Sequence, residues 1–242
     1  MGRAFEYRKA RKMKRWGNMS RTFTRIGKEI TIAVKAAGPD PNANSRLRTL
    51  IANAKAANMP KDTIDRAIKK ASDKDASDYK EVVYEGFAPN GVAVLVECAT
   101  DNTTRTVANL RNYFNKNGGT LGNSGSVAFM FSHKCYFHVK PKEGVTLEDI
   151  ELELIDFGAE DFDMDEEEII IGGAFESNAE IQKYLEDNEF EIINTEFVYE
   201  STDYKDLEGE AREAVDKLVE AVEEDDDVQN VFTTMREAEM IE

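Results

Sequence analysis

The sequence predicts an α+β protein: an N-terminal helical bundle followed by two α/β-sandwich domains, the second inserted in the first. Three observations carry this. Apolar residues recur at helical spacing through the first seventy positions. The stretch EVVYEGFAPNGVAVLVECATDNTTRTVANLRNYFNKNGGTLGNSGSVAFMF, Glu81 to Phe131, reads as two strands, a helix and a third strand. Between residues 135 and 199 a separate β-α-β-β-α-β order follows, which is the ferredoxin-like order.

In chain order, Met1 to Trp16 is a basic arm. Like charges at that density disfavour order in isolation, so the arm is expected to be mobile and to order on its target. Trp16 could stack on a base or plug the arm onto the first core. Ser20 is expected to cap a helix in which Phe23, Ile26, Ile30 and Val34 form the apolar face, ended by Gly38-Pro39. A second helix is expected from Asn44 to Asn58, with Leu47, Leu50, Ile51 and Ala54 inward. Pro60 suits the first turn of a third, built on Ile64, Ala67, Ile68 and Ala71. Ala71 to Tyr79 is polar and reads as a linker.

A hairpin, Lys80 to Phe87 and Val92 to Ala99, turns through Ala88-Pro89-Asn90-Gly91. Asp101 to Thr104 offers caps for a helix stopped by Gly118-Gly119. Ser126 to Phe131 reads as a strand buried on both faces. Then come a strand at Cys135 to Val139, a helix at Leu147 to Phe157, strands at Ala159 to Met164 and Glu168 to Gly172, a helix opened by a Ser177/Glu180 capping box, and a strand at Phe190 to Tyr199. Leu207 to Glu224 is amphipathic and Val228 to Met235 is a last strand. One helix and one strand are what the 81–131 unit lacks, because three strands with one helix leave a face half covered. The expected domains are therefore 1–78, a split domain of 79–131 with 205–242, and the inserted ferredoxin-like domain 132–204.

Charge divides the chain in two. Residues 1–74 hold 19 of the 31 Lys+Arg and 6 of the 48 Asp+Glu, a local charge of +13, leaving 12 basic and 42 acidic residues, or −30, beyond them. A cationic segment suits a polyanion, and the acidic body would repel one, so the binding face is expected on the first segment. Candidate nucleic-acid-binding residues are Arg8, Lys9, Arg11, Lys12, Lys14 and Arg15 of the arm. Arg21, Arg25 and Lys28 come from the first helix, and Arg46, Arg48 and Lys55 from the second. Arg105, at a helix N-terminus in the body, is a further candidate for a phosphate contact. The outer face of the third helix carries Arg66, Lys69 and Lys70.

Enzymatic and metal chemistry find little support. Two histidines, His133 and His138, have no evident third ligand. Asp161, Asp163 and Asp165 resemble the start of a calcium loop, but Glu166 stands where its glycine belongs and Gly172 where its closing glutamate belongs. Gly122-Asn123-Ser124-Gly125 imitates the glycine loop of KH domains, yet lies between a helix and a strand, and reads as a flexible loop available for binding. Cys98 and Cys135 sit in apolar strands and read as buried thiols. No apolar run is long enough to span a bilayer and the start lacks an apolar signal core, so a cytoplasmic location is expected, with no membrane partner and no cofactor.

Three runs, KAANMPKDTIDRAIKKA (Lys55 to Ala71), YEGFAPNGVAVLVECATDNTTRT (Tyr84 to Thr106) and GGTLGNSGSVAFMF (Gly118 to Phe131), together resemble the YebC/PmpR family. The resemblance extends over nearly the whole chain. It implies a helical N-terminal domain with two α/β domains, and no catalytic activity or cofactor. It implies either a DNA-binding transcriptional regulator or a ribosome-associated factor that binds ribosomal RNA and relieves stalling; mitochondrial members are translational activators of cytochrome c oxidase. Many members open with Gly-His-Ser-Lys-Trp, where this chain has MGRAFEYRKARKMKRW.

Overall fold

The computed structural model describes residues 19–73, 75–164 and 168–236. Three helices come first: α1 (Met19–Ala37), α2 (Ser45–Ala56) and α3 (Lys61–Ala71). They close on a core of Ile26, Ile30, Val34, Leu47, Leu50, Ala54 and Ile64, the positions that the 3.6-residue period picks out. α1 is already helical at Met19, so Ser20 lies inside the helix and does not cap it. Asn44 does cap α2, its side chain accepting from Leu47 N at 3.0 Å. Its amide also donates to Ala33 O and Gly38 O, tying the end of α1 to the start of α2. Gly38 holds φ +88, a left-handed turn that ends α1 without Cβ strain.

The next elements are β1 (Lys80–Ala88), β2 (Val92–Thr100), α4 (Thr103–Lys116) and the two-residue β3 (Thr120–Leu121). After them come β4 (Phe131–Val139), α5 (Leu147–Leu154), β5 (Ala159–Met164), β6 (Ile169–Ala174), α6 (Asn178–Asp187) and β7 (Ile192–Ser201). The described chain finishes with α7 (Gly209–Glu223) and β8 (Val228–Thr233). The strands form two four-stranded antiparallel sheets, ordered β3-β1-β2-β8 and β5-β6-β4-β7. In the first, Val94, Val96 and Cys98 meet Leu110 and Phe114 of α4 and Leu218 and Val222 of α7. In the second, Phe137 and Ile171 meet Ile150 and Leu154 of α5 and Ile181 and Leu185 of α6. The opposite face of the first sheet is also covered: Ala93 and Leu95 pack with Val127, Phe131, Tyr199 and Phe232.

Two expectations are corrected. Residues 126–131 are not a strand of the first sheet. Residues 126–130 form a turn and a 3₁₀ segment at Ala128–Met130, Phe131 opens β4, and Thr120–Leu121 is the strand that pairs with β1. The cause is packing, because Val127 is buried against the back of the first sheet, and Phe131 packs there too while pairing with Ser201 in the second sheet. Ser177 makes no capping bond; the reciprocal box belongs to Thr146 and Asp149 at the start of α5.

Close approach fixes one glycine in particular. A Cβ at Gly86 would lie 2.6 Å from Phe114 Cε1 and 2.6 Å from the Thr120 carbonyl, so β1 can be flanked by β3 and α4 only without a side chain there. Gly86→Ala is expected to lower stability by about 2 kcal/mol through overpacking, seen as a lower urea midpoint at unchanged m-value.

Candidate nucleic-acid interface

Arg8, Lys9, Arg11, Lys12, Lys14 and Arg15 lie outside the described residues. Of the remaining candidates on the first segment, most face inward, toward the acidic body. Lys28 is the clearest case. Its residue is 8% exposed. Its ammonium donates to Asp227 Oδ1 at 2.8 Å, Asp226 O at 2.8 Å and Ala99 O at 3.1 Å. A lysine with all three donors satisfied inside the protein is not a phosphate ligand. Arg25 donates to Glu223 O at 2.8 Å. Arg46 grips Glu81 through both terminal nitrogens. Arg48 makes a bidentate pair with Glu186 of α6, at 3.0 and 2.9 Å.

Arg105 is also committed. Its guanidinium bridges Asp101 Oδ1 at 3.0 Å and Asp227 Oδ2 at 2.7 Å, so a phosphate approaching it would meet two carboxylates. Asp227 is the node of this cluster. Thr100 and Thr106 hydroxyls donate to its Oδ2 at 3.0 and 2.9 Å. Burial pushes the Asp227 carboxyl up, but the donors Lys28, Arg105 and Thr106 outweigh it and hold the group down to about 2.

Outward-facing cations remain at one end of the helical segment. Lys55 at the end of α2, and Lys61, Arg66, Lys69 and Lys70 of α3, are exposed. Arg66 folds back on its own helix, to Asp62 O and Thr63 Oγ1. The apolar quarter of α3, Ile64, Ala67, Ile68 and Ala71, packs inward, which turns the lysines to solvent. Lys61 had no place among the sequence candidates, and Lys69 and Lys70 were noted only as a face. The signal for them was the burial of the stripe behind them. Arg21 is half-buried beside Asp225 and Asp226.

Where the helices meet the two sheets there is a cleft of about 1270 Å³. Asn53 of α2 reaches across to β7, its amide donating to Thr195 O and its carbonyl accepting from Thr195 N, both at 2.8 Å. In the cleft wall His133 is sandwiched between Phe175 and Tyr199, with ring centroids 3.8 and 4.2 Å away. Phe197 and Phe232 close the stack edge-on. Burial holds His133 below its ordinary pKa. His138, on the other face of β4, meets Glu168 Oε2 at 3.1 Å. Among the described residues no three His, Cys, Asp or Glu side chains converge to hold a metal ion. Both thiols are buried, and burial pushes Cys135 up to about 11 and Cys98 higher still. No helix of the described residues is long and apolar enough to cross a membrane.

The glycine loop after α4 is pinned rather than loose. Glu85, 5% exposed, accepts from the backbone N–H groups of Gly125, Val127 and Ala128 at 2.6, 2.7 and 2.8 Å. Burial pushes its carboxyl up, but those N–H groups together pull it below its ordinary value.

The chain is similar over nearly its whole length to proteins whose names describe regulators of gene expression. The chain is 60% identical over 237 residues to a "Probable transcriptional regulatory protein" of Parabacteroides distasonis, covering 98% of each. A protein of the same name from Porphyromonas gingivalis is 60% identical over 239 residues, covering 99% of each. The chain belongs to the TACO1/YebC family: residues 3–74 match its N-terminal domain and residues 79–235 its second and third domains. The crystal structure of a conserved hypothetical protein from Aquifex aeolicus superposes with a TM-score of 0.75 at 38% identity, covering 93% of each chain.

Proposed function

We propose that this protein is a nucleic-acid-binding regulator of gene expression that acts as a DNA-binding transcriptional regulator, with no catalytic step. The observation that carries the proposal is the segregation of charge, +13 in residues 1–74 against −30 beyond them. The regulator names of its relatives support it. On this reading the contact surface is the arm together with Lys55, Lys61, Lys69 and Lys70, while Arg25, Lys28, Arg46 and Arg48 hold the helical segment to the body. The same surface would grip ribosomal RNA in a translation factor, since both targets present phosphates. A cytoplasmic location and the division into 1–78, 79–131 with 205–242, and an inserted ferredoxin-like 132–204 belong to the same proposal.

The triple variant Lys61→Glu/Lys69→Glu/Lys70→Glu is expected to weaken binding almost uniformly across sequences. If each lysine meets one phosphate, the slope of log K against log salt should become shallower by about 2.7 on duplex DNA and about 2 on single-stranded RNA. Unchanged affinity on both targets would refute the surface. Sedimentation of lysate on a sucrose gradient separates the two targets: co-migration with ribosomes that survives DNase selects ribosomal RNA, and a discrete DNA footprint at physiological salt selects DNA.

A further inference from the structure

Beyond residue 74 the chain holds 42 Asp+Glu, yet positions 102–142 contain none. The same positions contain six Lys+Arg, so a window of charge +6 interrupts an anionic body. Arg105, Lys134 and Lys140 of this window are paired with Asp227, Glu160 and Glu191. Arg111 and Lys116 are exposed on α4, the helix that leads through β3 into residues 122–130. That loop lies near the middle of the window. Glu85 reaches it from β1, but this carboxylate is buried and turned onto the N–H groups of Gly125, Val127 and Ala128.

Phe129 projects from the loop. At 77% exposure it is the most exposed large apolar side chain among the described residues. The side chains around it run inward: Val127 and Phe131 are buried, and Met130 packs with them on the back of the first sheet. The backbone beneath the ring is fixed, since the N–H of Ala128 donates to Glu85 at 2.8 Å and that of Met130 to Val127 O at 2.9 Å. Gly122, Asn123, Ser124 and Gly125 are exposed in the same loop. Among the described residues the N–H groups of Asn123 and Ser124 meet no backbone acceptor.

A flat apolar ring held in water on a pinned backbone suits the face of a nucleobase, which stacks on an aromatic side chain whatever its sequence. Base edges and phosphates accept hydrogen bonds from free N–H groups. A stretch of chain without carboxylates does not repel the phosphates that come with the base. A base inside a duplex has both faces covered by its neighbours, so the ring can take only a base that has left the stack.

We propose that residues 122–130 form a site for an unpaired nucleobase, which stacks on Phe129 while the N–H groups of Asn123 and Ser124 donate to acceptors on its edge or its phosphate. The site rests on the nucleic-acid reading above and names the state of the target that it takes, a single-stranded segment of RNA or DNA. It is separate from the lysines of α3, which meet phosphates of paired and unpaired strands alike.

The test uses the full chain with an oligouridine RNA, the matching oligothymidine DNA, and the same DNA annealed to its complement. Phe129→Ala should weaken binding of the single strands about tenfold, equivalent to about 1.4 kcal/mol and within the range for one stacked base. Duplex affinity, the salt slope and the urea midpoint should stay as they are, because the side chain carries no charge and sits in solvent. Phe129→Tyr should restore the single-strand affinity. A 5-iodouridine or 5-iododeoxyuridine in the strand should couple to Phe129 under ultraviolet light, mapped by mass spectrometry; an adduct with either sugar supports the site and says which one it admits. Undiminished single-strand affinity in Phe129→Ala, an equal loss on duplex, or adducts confined to other residues overturn the site while the lysine surface stands. A wild-type chain that binds none of the three probes overturns the nucleic-acid reading and this site with it.

Discussion

Replacing Asp227 with alanine should cost about 3–5 kcal/mol of stability, because it strands the ammonium of Lys28 in a site that is 8% exposed. The carboxylate accepts from Lys28 at 2.8 Å, Arg105 at 2.7 Å, Thr106 at 2.9 Å and Thr100 at 3.0 Å, so one substitution removes four donors' partner. The same change should loosen α1 from the body, since Lys28 bridges them at Ala99, Asp226 and Asp227, beside Arg25 at Glu223. Lys28→Met/Asp227→Ala should lose less than the two single changes summed, as the buried charge is then gone. Urea denaturation of the four proteins measures the coupling, and strict additivity would show that the pair does not act as a unit. The pH dependence follows in sign. A carboxyl held near 2 in the folded state and near 4 when unfolded adds stability above about pH 4, and that stability is lost as pH falls toward 2.

Glu85→Ala should be of similar size, about 3–4 kcal/mol, for a different reason. Three backbone N–H groups converge on this one buried carboxylate, and hydrogen bonds to a charged group are individually worth about 1.5–3 kcal/mol. Some of the loss is recovered when the freed N–H groups reach water. Hydrogen exchange should report the change locally: amides 125, 127 and 128, slow in the parent protein, should become fast, while α5 and α6 stay protected. Uniform acceleration throughout both sheets would mean that Glu85 supports the global fold rather than the loop. Glu85 lies below its ordinary pKa, so its contribution is also present at neutral pH and lost on acidification.

The element order of the body was legible because each element has its own period and stops. Ala159–Met164 begins and ends where expected, and α4 is followed by Gly118, whose φ is +72. Residues 126–131 misled because apolar density says only that a segment is buried, not how. Val127 is buried by side-chain packing against Ala93 and Leu95, and Phe131, which joins them, takes its ladder partner from the second sheet. The cap misplaced at Ser177 is a case of one local pattern occurring twice, at Thr146/Asp149 with the geometry and at Ser177/Glu180 without it. The candidate interface was harder to read. Net charge singles out a segment but not the direction in which each cation faces. The partner of Lys28 is 199 positions away and that of Arg48 is 138 away, so nothing in the local spacing separates them from Lys61 or Lys70.

The contact of Asn53 with Thr195 has a bearing on how the chain matures. β7 is the outer strand of its sheet, and the amide of Asn53 occupies one donor and one acceptor on its rim. Open rims recruit foreign strands. Synthesis delivers the helix bearing Asn53 well over a hundred residues before β7 emerges. The guard is therefore waiting when the vulnerable border is laid down, and newborn chains have less opportunity to zip onto their neighbours.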